Sequence, residues 1–71
     1  SVRADGALTA RESEAAALIA EGLTNGQLAE RLFISPKTAS VHVSNILAKL
    51  GLSTRAEIAA WEIRRRLPSA G

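Results

Sequence analysis

The sequence predicts an all-α fold, a compact four-helix domain that contains a helix-turn-helix. Three observations predict it. Thr9 with Glu12, Thr24 with Gln27 and Thr54 with Glu57 each have capping-box spacing, in which the two residues satisfy each other's orphan backbone N–H groups. Gly22 and Gly51 stand where two apolar patterns stop, as residues that accept the left-handed backbone of a helix end. No stretch alternates apolar and polar residues for long enough to form a strand. With 71 residues, one domain is expected, over 8–67. Residues 1–7 read as a tail or linker remnant and 68–71 as a second tail.

The first helix is expected from about Ala10 to Glu21. Leu8 precedes the Thr9 cap as a hydrophobic staple, and Ala15, Ala16, Leu18 and Ile19 face inward. Leu23 plugs the following turn. A short helix then runs to about Leu32, with Leu28, Ala29 and Leu32 inward. Ser35 and Pro36 start the third helix, Ser as the cap and Pro at the first helical position, where its missing N–H costs nothing. Gly51 ends this helix and Leu52 plugs the turn. The last helix is capped by Thr54 and reaches about Arg66.

Composition narrows the function. The chain is 46% hydrophobic and 23% charged, the balance of a folded globular domain. Phe33 and Trp61 are its only aromatics, so Leu, Ile, Val and Ala must fill the core. The absence of Cys excludes disulfides, thiolate zinc sites and a thiol nucleophile, and is compatible with a reducing cytoplasm. No Met is present, so the chain is expected to be part of something longer. No apolar run approaches the length of a membrane span, and no signal peptide is visible. His42 has no second His or Cys to share a metal with, and four short helices leave little room for a catalytic pocket. No metal, cofactor or enzymatic activity is expected, and His42 is read as structural or phosphate-adjacent.

The net charge is only +2, but its distribution is informative. Glu12, Glu14 and Glu21 lie early and Arg64, Arg65 and Arg66 late, while Ser35–Leu50 carries two Lys and no acid. Such asymmetry suits a phosphate-binding side. Wound as a helix, Ser35–Leu50 has two faces. Ala39, His42, Val43, Ile46 and Leu50 make one; Lys37, Ser40, Val41, Ser44 and Ala48 make the other. Thr38, Asn45 and Lys49 lie on a flank. The second face has short or cationic side chains, as a helix needs if it is to approach base edges. With the short helix before it, it forms a helix-turn-helix over about 24–43, whose recognition helix, about 36–50, is expected in the DNA major groove. The N-terminus opening at Thr24 would sit at a phosphate, and Gly26 would let the backbone come close. An ordinary helical hairpin with a solvated outer face has the same spacing.

A resemblance favours the DNA-binding reading over that one. Leu8-Thr9-Ala10-Arg11-Glu12, Glu14, Gly22-Leu23-Thr24-Asn25 and Leu28-Ala29 resemble the opening of a LuxR-type (NarL/FixJ-like) DNA-binding domain. Ser35-Pro36-Lys37-Thr38, His42, Asn45-Ile46 and Lys49-Leu50 are similar to its recognition helix, and Arg55, Glu57 and Ala59 to the start of its last helix. The resemblance covers about Leu8 to Arg66. It implies the effector part of a cytoplasmic bacterial transcription regulator, normally preceded by a sensing domain that is absent from this chain. It also implies binding to double-stranded DNA as a homodimer on an inverted-repeat operator, with RNA polymerase as a further candidate partner. Spacing allows Arg11 an internal ion pair with Glu12 or Glu14, whereas for Arg11 and Glu14 the resemblance implies pairing with a neighbouring helix.

Departures from the family pattern are informative. Ala39 and Ser40 replace Val and a base, Ser44 replaces a common base, Gly26 a common Lys or Arg, and Gln27 a common Glu. Hydroxyls discriminate less strongly than a bidentate Arg–guanine pair, worth about 1–3 kcal/mol, so modest affinity is expected. Phosphate contacts are expected from Thr24, Asn25, Thr38 and Lys49, and base contacts from Lys37, Ser40, Val41 and Ser44, with Asn45 beside them. The last helix has two apolar sides. Ala56, Ala59, Ala60, Ile63 and Leu67 line one, and Ile58 and Trp61 lie nearly opposite. The resemblance puts the dimer contact on this helix, so Ala56, Ile58, Ala60, Trp61 and Ile63 are its candidate residues. Two rivals remain: a promoter-reading module like the last region of a sigma factor, and a helical protein-interaction adaptor.

Overall fold

A computed structural model describes residues 8–67; both expected tails lie outside the described residues. Four helices follow in order: α1 (Ala10–Ala20), α2 (Asn25–Leu32), α3 (Pro36–Leu50) and α4 (Arg55–Arg66). Among the described residues no strand occurs. All three predicted capping boxes form, with reciprocal hydrogen bonds at Thr9–Glu12, Thr24–Gln27 and Thr54–Glu57. Ser35 caps α3 by accepting the Thr38 N–H at 3.1 Å, with Pro36 in the first turn.

Helix ends follow the glycine expectations. Gly22 (φ 93°) and Gly51 (φ 68°) both adopt the left-handed backbone. The end of α2 differs. Phe33 itself takes the left-handed conformation, φ 58° and ψ 46°, the only described non-glycine residue with positive φ. Its ring is 91% exposed.

The core is aliphatic, as the shortage of aromatics requires. Ala15, Ala16 and Ile19 of α1, Leu28, Ala29 and Leu32 of α2, Ala39 and Ile46 of α3 and Ile58 of α4 are buried in one cluster. Leu18 packs at its edge rather than within it. Ala15 and Ala16 are fully covered, so α1 is closely approached by its neighbours. It lies against α3 and α4, while α2 packs mainly on α3. The two helices of the helix-turn-helix are thereby held to each other by their inner faces.

Two acids are buried with that core, and neither burial follows from the periodic pattern. Glu12 accepts the Thr9 N–H at 3.0 Å and the Lys49 ammonium at 2.7 Å. Glu62, 2% exposed, takes Arg65 Nε on one carboxylate oxygen and Arg66 Nε on the other, at 2.8 and 2.7 Å. A buried carboxylate is tolerated only when charged or N–H donors replace its lost water, and both acids meet that requirement. The Arg65 guanidinium also lies 5.0 Å from the Trp61 ring centroid, within cation–π range. Arg11 and Glu14 follow the internal pairing that their spacing allows and correct the one drawn from the resemblance. They pair with each other at 3.6 Å, both largely exposed, and not with a neighbouring helix.

Candidate nucleic-acid interface

α3 turns Ala39 and Ile46 into the core and leaves Lys37, Ser40, Val41, Ser44 and Ala48 exposed, as its two-faced pattern requires. Val41 is half exposed, an apolar methyl pair among hydroxyls. Thr38 and Asn45 are exposed on the flank. Thr38 is also committed locally, its hydroxyl 2.9 Å from the Ser35 hydroxyl. The four expected base-reading side chains therefore share one solvent-facing side, and no carboxylate belonging to α3 opposes them.

His42 is half-buried at the border of that face. Its Nδ1 is the one buried side-chain polar atom without a hydrogen-bond partner among the described residues. Among those residues no group of three potential metal ligands comes together.

The N-terminus of α2 opens on the Thr24 cap. Thr24 Oγ1 accepts the Gln27 N–H at 3.2 Å, and Gln27 Oε1 accepts the Thr24 N–H at 2.8 Å. Gln27 thus closes the box as a Glu would, without adding an acid where a phosphate is expected. A Cβ at Gly26 would meet only Thr24 Oγ1, at 3.8 Å, so the fold itself does not require glycine there. Asn25 is half-buried, and its Oδ1 accepts a hydrogen bond from Arg55 Nη1 at 2.7 Å. Arg55 Nη2 donates to the Leu23 carbonyl. Lys49 is exposed but not free, because its ammonium sits on Glu12.

The α4 candidates separate. Ile58 is fully buried and belongs to the core, so it cannot be a dimer contact of the folded domain; this corrects the expectation. Its side of the helix is the inward one, and Trp61 and Ala59 pack half-buried at the core edge. Ala56 and Ala60 are exposed, with Ile63 at 47% and Leu67 at 63%. Spaced four, three and four apart, they form one stripe. A shallow groove runs beside it, lined by Leu52, Ala60 and Trp61 between Glu57 and Arg64.

Residues 6–61 match the family of bacterial regulatory proteins of the luxR type. The chain belongs to the LuxR family. Within it, this domain is 48% identical over 60 residues to the transcriptional regulatory protein LiaR of Bacillus subtilis, covering 84% of this chain and 28% of that protein. It is 44% identical over 63 residues to the DNA-binding transcriptional activator DevR/DosR of Mycobacterium tuberculosis, covering 86% and 29%. A Mycobacterium bovis protein named as an HTH-type transcriptional regulator is 42% identical over 64 residues, 90% of this chain and 7% of that protein. The chain thus spans less than a third of each of these relatives. The fold and the family agree: this is a LuxR-family helix-turn-helix DNA-binding domain.

Sequence reasoning passed over Glu62, and gave Arg55 no role beyond its match to the family's last helix. Arg65 and Arg66, three and four positions after Glu62, are at helical pairing distance and could have revealed its partners. Nothing local could have paired Arg55 with Asn25, thirty positions apart.

Proposed function

We propose that this LuxR-family domain reads a bacterial operator by laying α3 in the major groove. The observation that carries the reading is the acid-free exposed face of Lys37, Ser40, Val41 and Ser44 on α3. Hydroxyls and the Val41 methyls meet base edges, with Lys37 the cation among them. Thr24, Asn25, Thr38 and the flank at Asn45 and Lys49 position the domain on phosphates. Lys49 is the weakest of these, since Glu12 offsets its charge. Binding is the whole of its chemistry, with no catalysis and no cofactor, in the bacterial cytoplasm. Residues 8–67 are the operative unit.

A second copy binds through the exposed stripe of α4, with Ala56, Ala60 and Ile63 at the contact and Trp61 at its edge. Exposed apolar spacing on a helix whose other side already fills the core supports this. Two recognition helices then face half-sites one DNA turn apart, so the operator is a loose inverted repeat. The regulator names of the relatives, and the small share of them that the chain spans, support a role as the DNA-binding part of a longer regulator.

The test is selection of binding sites from random DNA, run with the wild-type chain and with Ser44→Lys. The selected sequence should change at one position per half-site. An unchanged sequence would overturn the assignment of the reading face.

A further inference from the structure

We propose that Arg55, on α4, is a positioning residue for DNA: it turns the Asn25 amide so that the Nδ2 hydrogens face a phosphate at the start of α2. The proposal rests on reading Asn25 as a phosphate contact. A guanidinium only donates, so the atom of Asn25 that meets Arg55 Nη1 at 2.7 Å must be the oxygen. Arg55 thereby decides an orientation that an asparagine in water leaves open. Nδ2, the donor end, is turned away from Arg55. Among the described residues it has no partner, yet His42 Nδ1 is the only buried side-chain N or O atom so deprived there. Asn25 Nδ2 therefore reaches solvent.

The acceptors beside it are already engaged. Thr24 Oγ1 takes the Gln27 N–H and the Thr24 carbonyl takes the Leu28 N–H. The N–H groups of Asn25 and Gly26, first and second in α2, have no intrahelical acceptor. A Cβ at Gly26 would meet only Thr24 Oγ1 beyond its neighbours and its own helix backbone, so the side of Gly26 is uncrowded. Two backbone donors, one fixed amide donor and the positive end of the helix dipole make an anion cradle, and in a DNA-binding domain that anion is a backbone phosphate. The second arm of Arg55, on the Leu23 carbonyl, locks the guanidinium to the turn between α1 and α2. The amide at the DNA is thus held by the helix that carries the exposed stripe.

The test compares variants of the chain on a duplex isolated by selection. Asn25→Asp keeps the acceptor for Arg55 and adds a favourable charge in the first turn, so its melting temperature should equal or exceed the wild-type value. It loses the donor and puts a carboxylate toward the phosphate. Its affinity should fall at least about tenfold, and the slope of log affinity against log salt should lose about one unit. Arg55→Lys keeps the charge but cannot hold both acceptors, so affinity should fall about threefold or more with the slope unchanged. In wild-type 15N spectra the Asn25 side-chain amide signals should move when DNA is added, and should move less in Arg55→Lys. Wild-type affinity in Arg55→Lys alongside weak binding by Asn25→Ala would overturn the positioning role and leave Asn25 as a contact. Wild-type affinity in both Asn25→Ala and Asn25→Asp would overturn the contact itself.

Discussion

Lys49 Nζ lies 2.7 Å from Glu12 Oε1 and joins the last turn of the recognition helix to the first turn of α1. Glu12 also accepts the Thr9 N–H, so one buried carboxylate both caps α1 and anchors α3. Burial by itself would raise the pKa of Glu12. The Lys49 ammonium and the Thr9 donors outweigh it and hold the carboxyl below its ordinary value.

Glu12→Ala should therefore destabilise the domain by about 1–3 kcal/mol, since it strands donors and removes a cap. For a chain of this size each kcal/mol is worth roughly 4–8 °C in melting temperature. A double-mutant cycle of Glu12→Gln with Lys49→Met, read by urea denaturation, should return a positive coupling energy.

The pH dependence has a definite sign. Ser53 and Thr54 N–H groups lower the pKa of exposed Glu57 as well. A carboxyl whose folded pKa is depressed binds fewer protons folded than unfolded. Its contribution is complete above the unfolded value, about 4.3, and fades as pH falls through the folded value. Acid should unfold the domain from about pH 4 downward, and the Glu12→Gln variant should lose less stability over that range. Equal acid slopes for both proteins would contradict the assignment.

Phe33 holds a left-handed backbone with its ring in solvent. Phe33→Gly relieves that strain and gives up almost no burial. Glycine's extra unfolded entropy offsets part of the gain, leaving a net stabilisation of about 0.5–1 kcal/mol. Thermal denaturation checks it; a loss of stability would mean that the Phe33 ring contributes to the fold.

The two sides of α4 should behave oppositely. Ile58→Ala empties a fully buried position and should cost about 2–5 kcal/mol, which is most or all of the stability of so small a domain. Ile63→Ser alters an exposed position and should leave monomer stability within about 0.5 kcal/mol. The same change should abolish cooperative binding to a two-half-site duplex, measured by sedimentation with DNA.

The two lysines of α3 should also differ. Lys37 is exposed at the second helical position, whereas the charge of Lys49 is offset by Glu12. Lys37→Met should lower the salt slope of DNA binding by about one unit, and Lys49→Met by clearly less. Equal losses would restore Lys49 as a full phosphate contact.

Local chemistry made much of this protein legible in advance. Capping boxes, the Ser35-Pro36 start, the Gly22 and Gly51 stops and the two faces of α3 depend on residues within four positions of each other. Order along the chain therefore sufficed for the four helices, their bounds to within a residue or so, the buried Leu28, Ala29, Leu32, Ala39 and Ile46, and the family. Tertiary structure decided what depends on packing between distant segments. It turned Ile58 inward and left the Ala56–Ala60–Ile63 stripe outside, a choice that two comparable apolar faces could not make for themselves. It drew Lys49 onto Glu12 and Arg55 onto Asn25, because long cationic side chains take whichever acceptor the packed helices bring near. Periodicity reports which way a residue faces along its own helix; it carries no information about the partner across the gap.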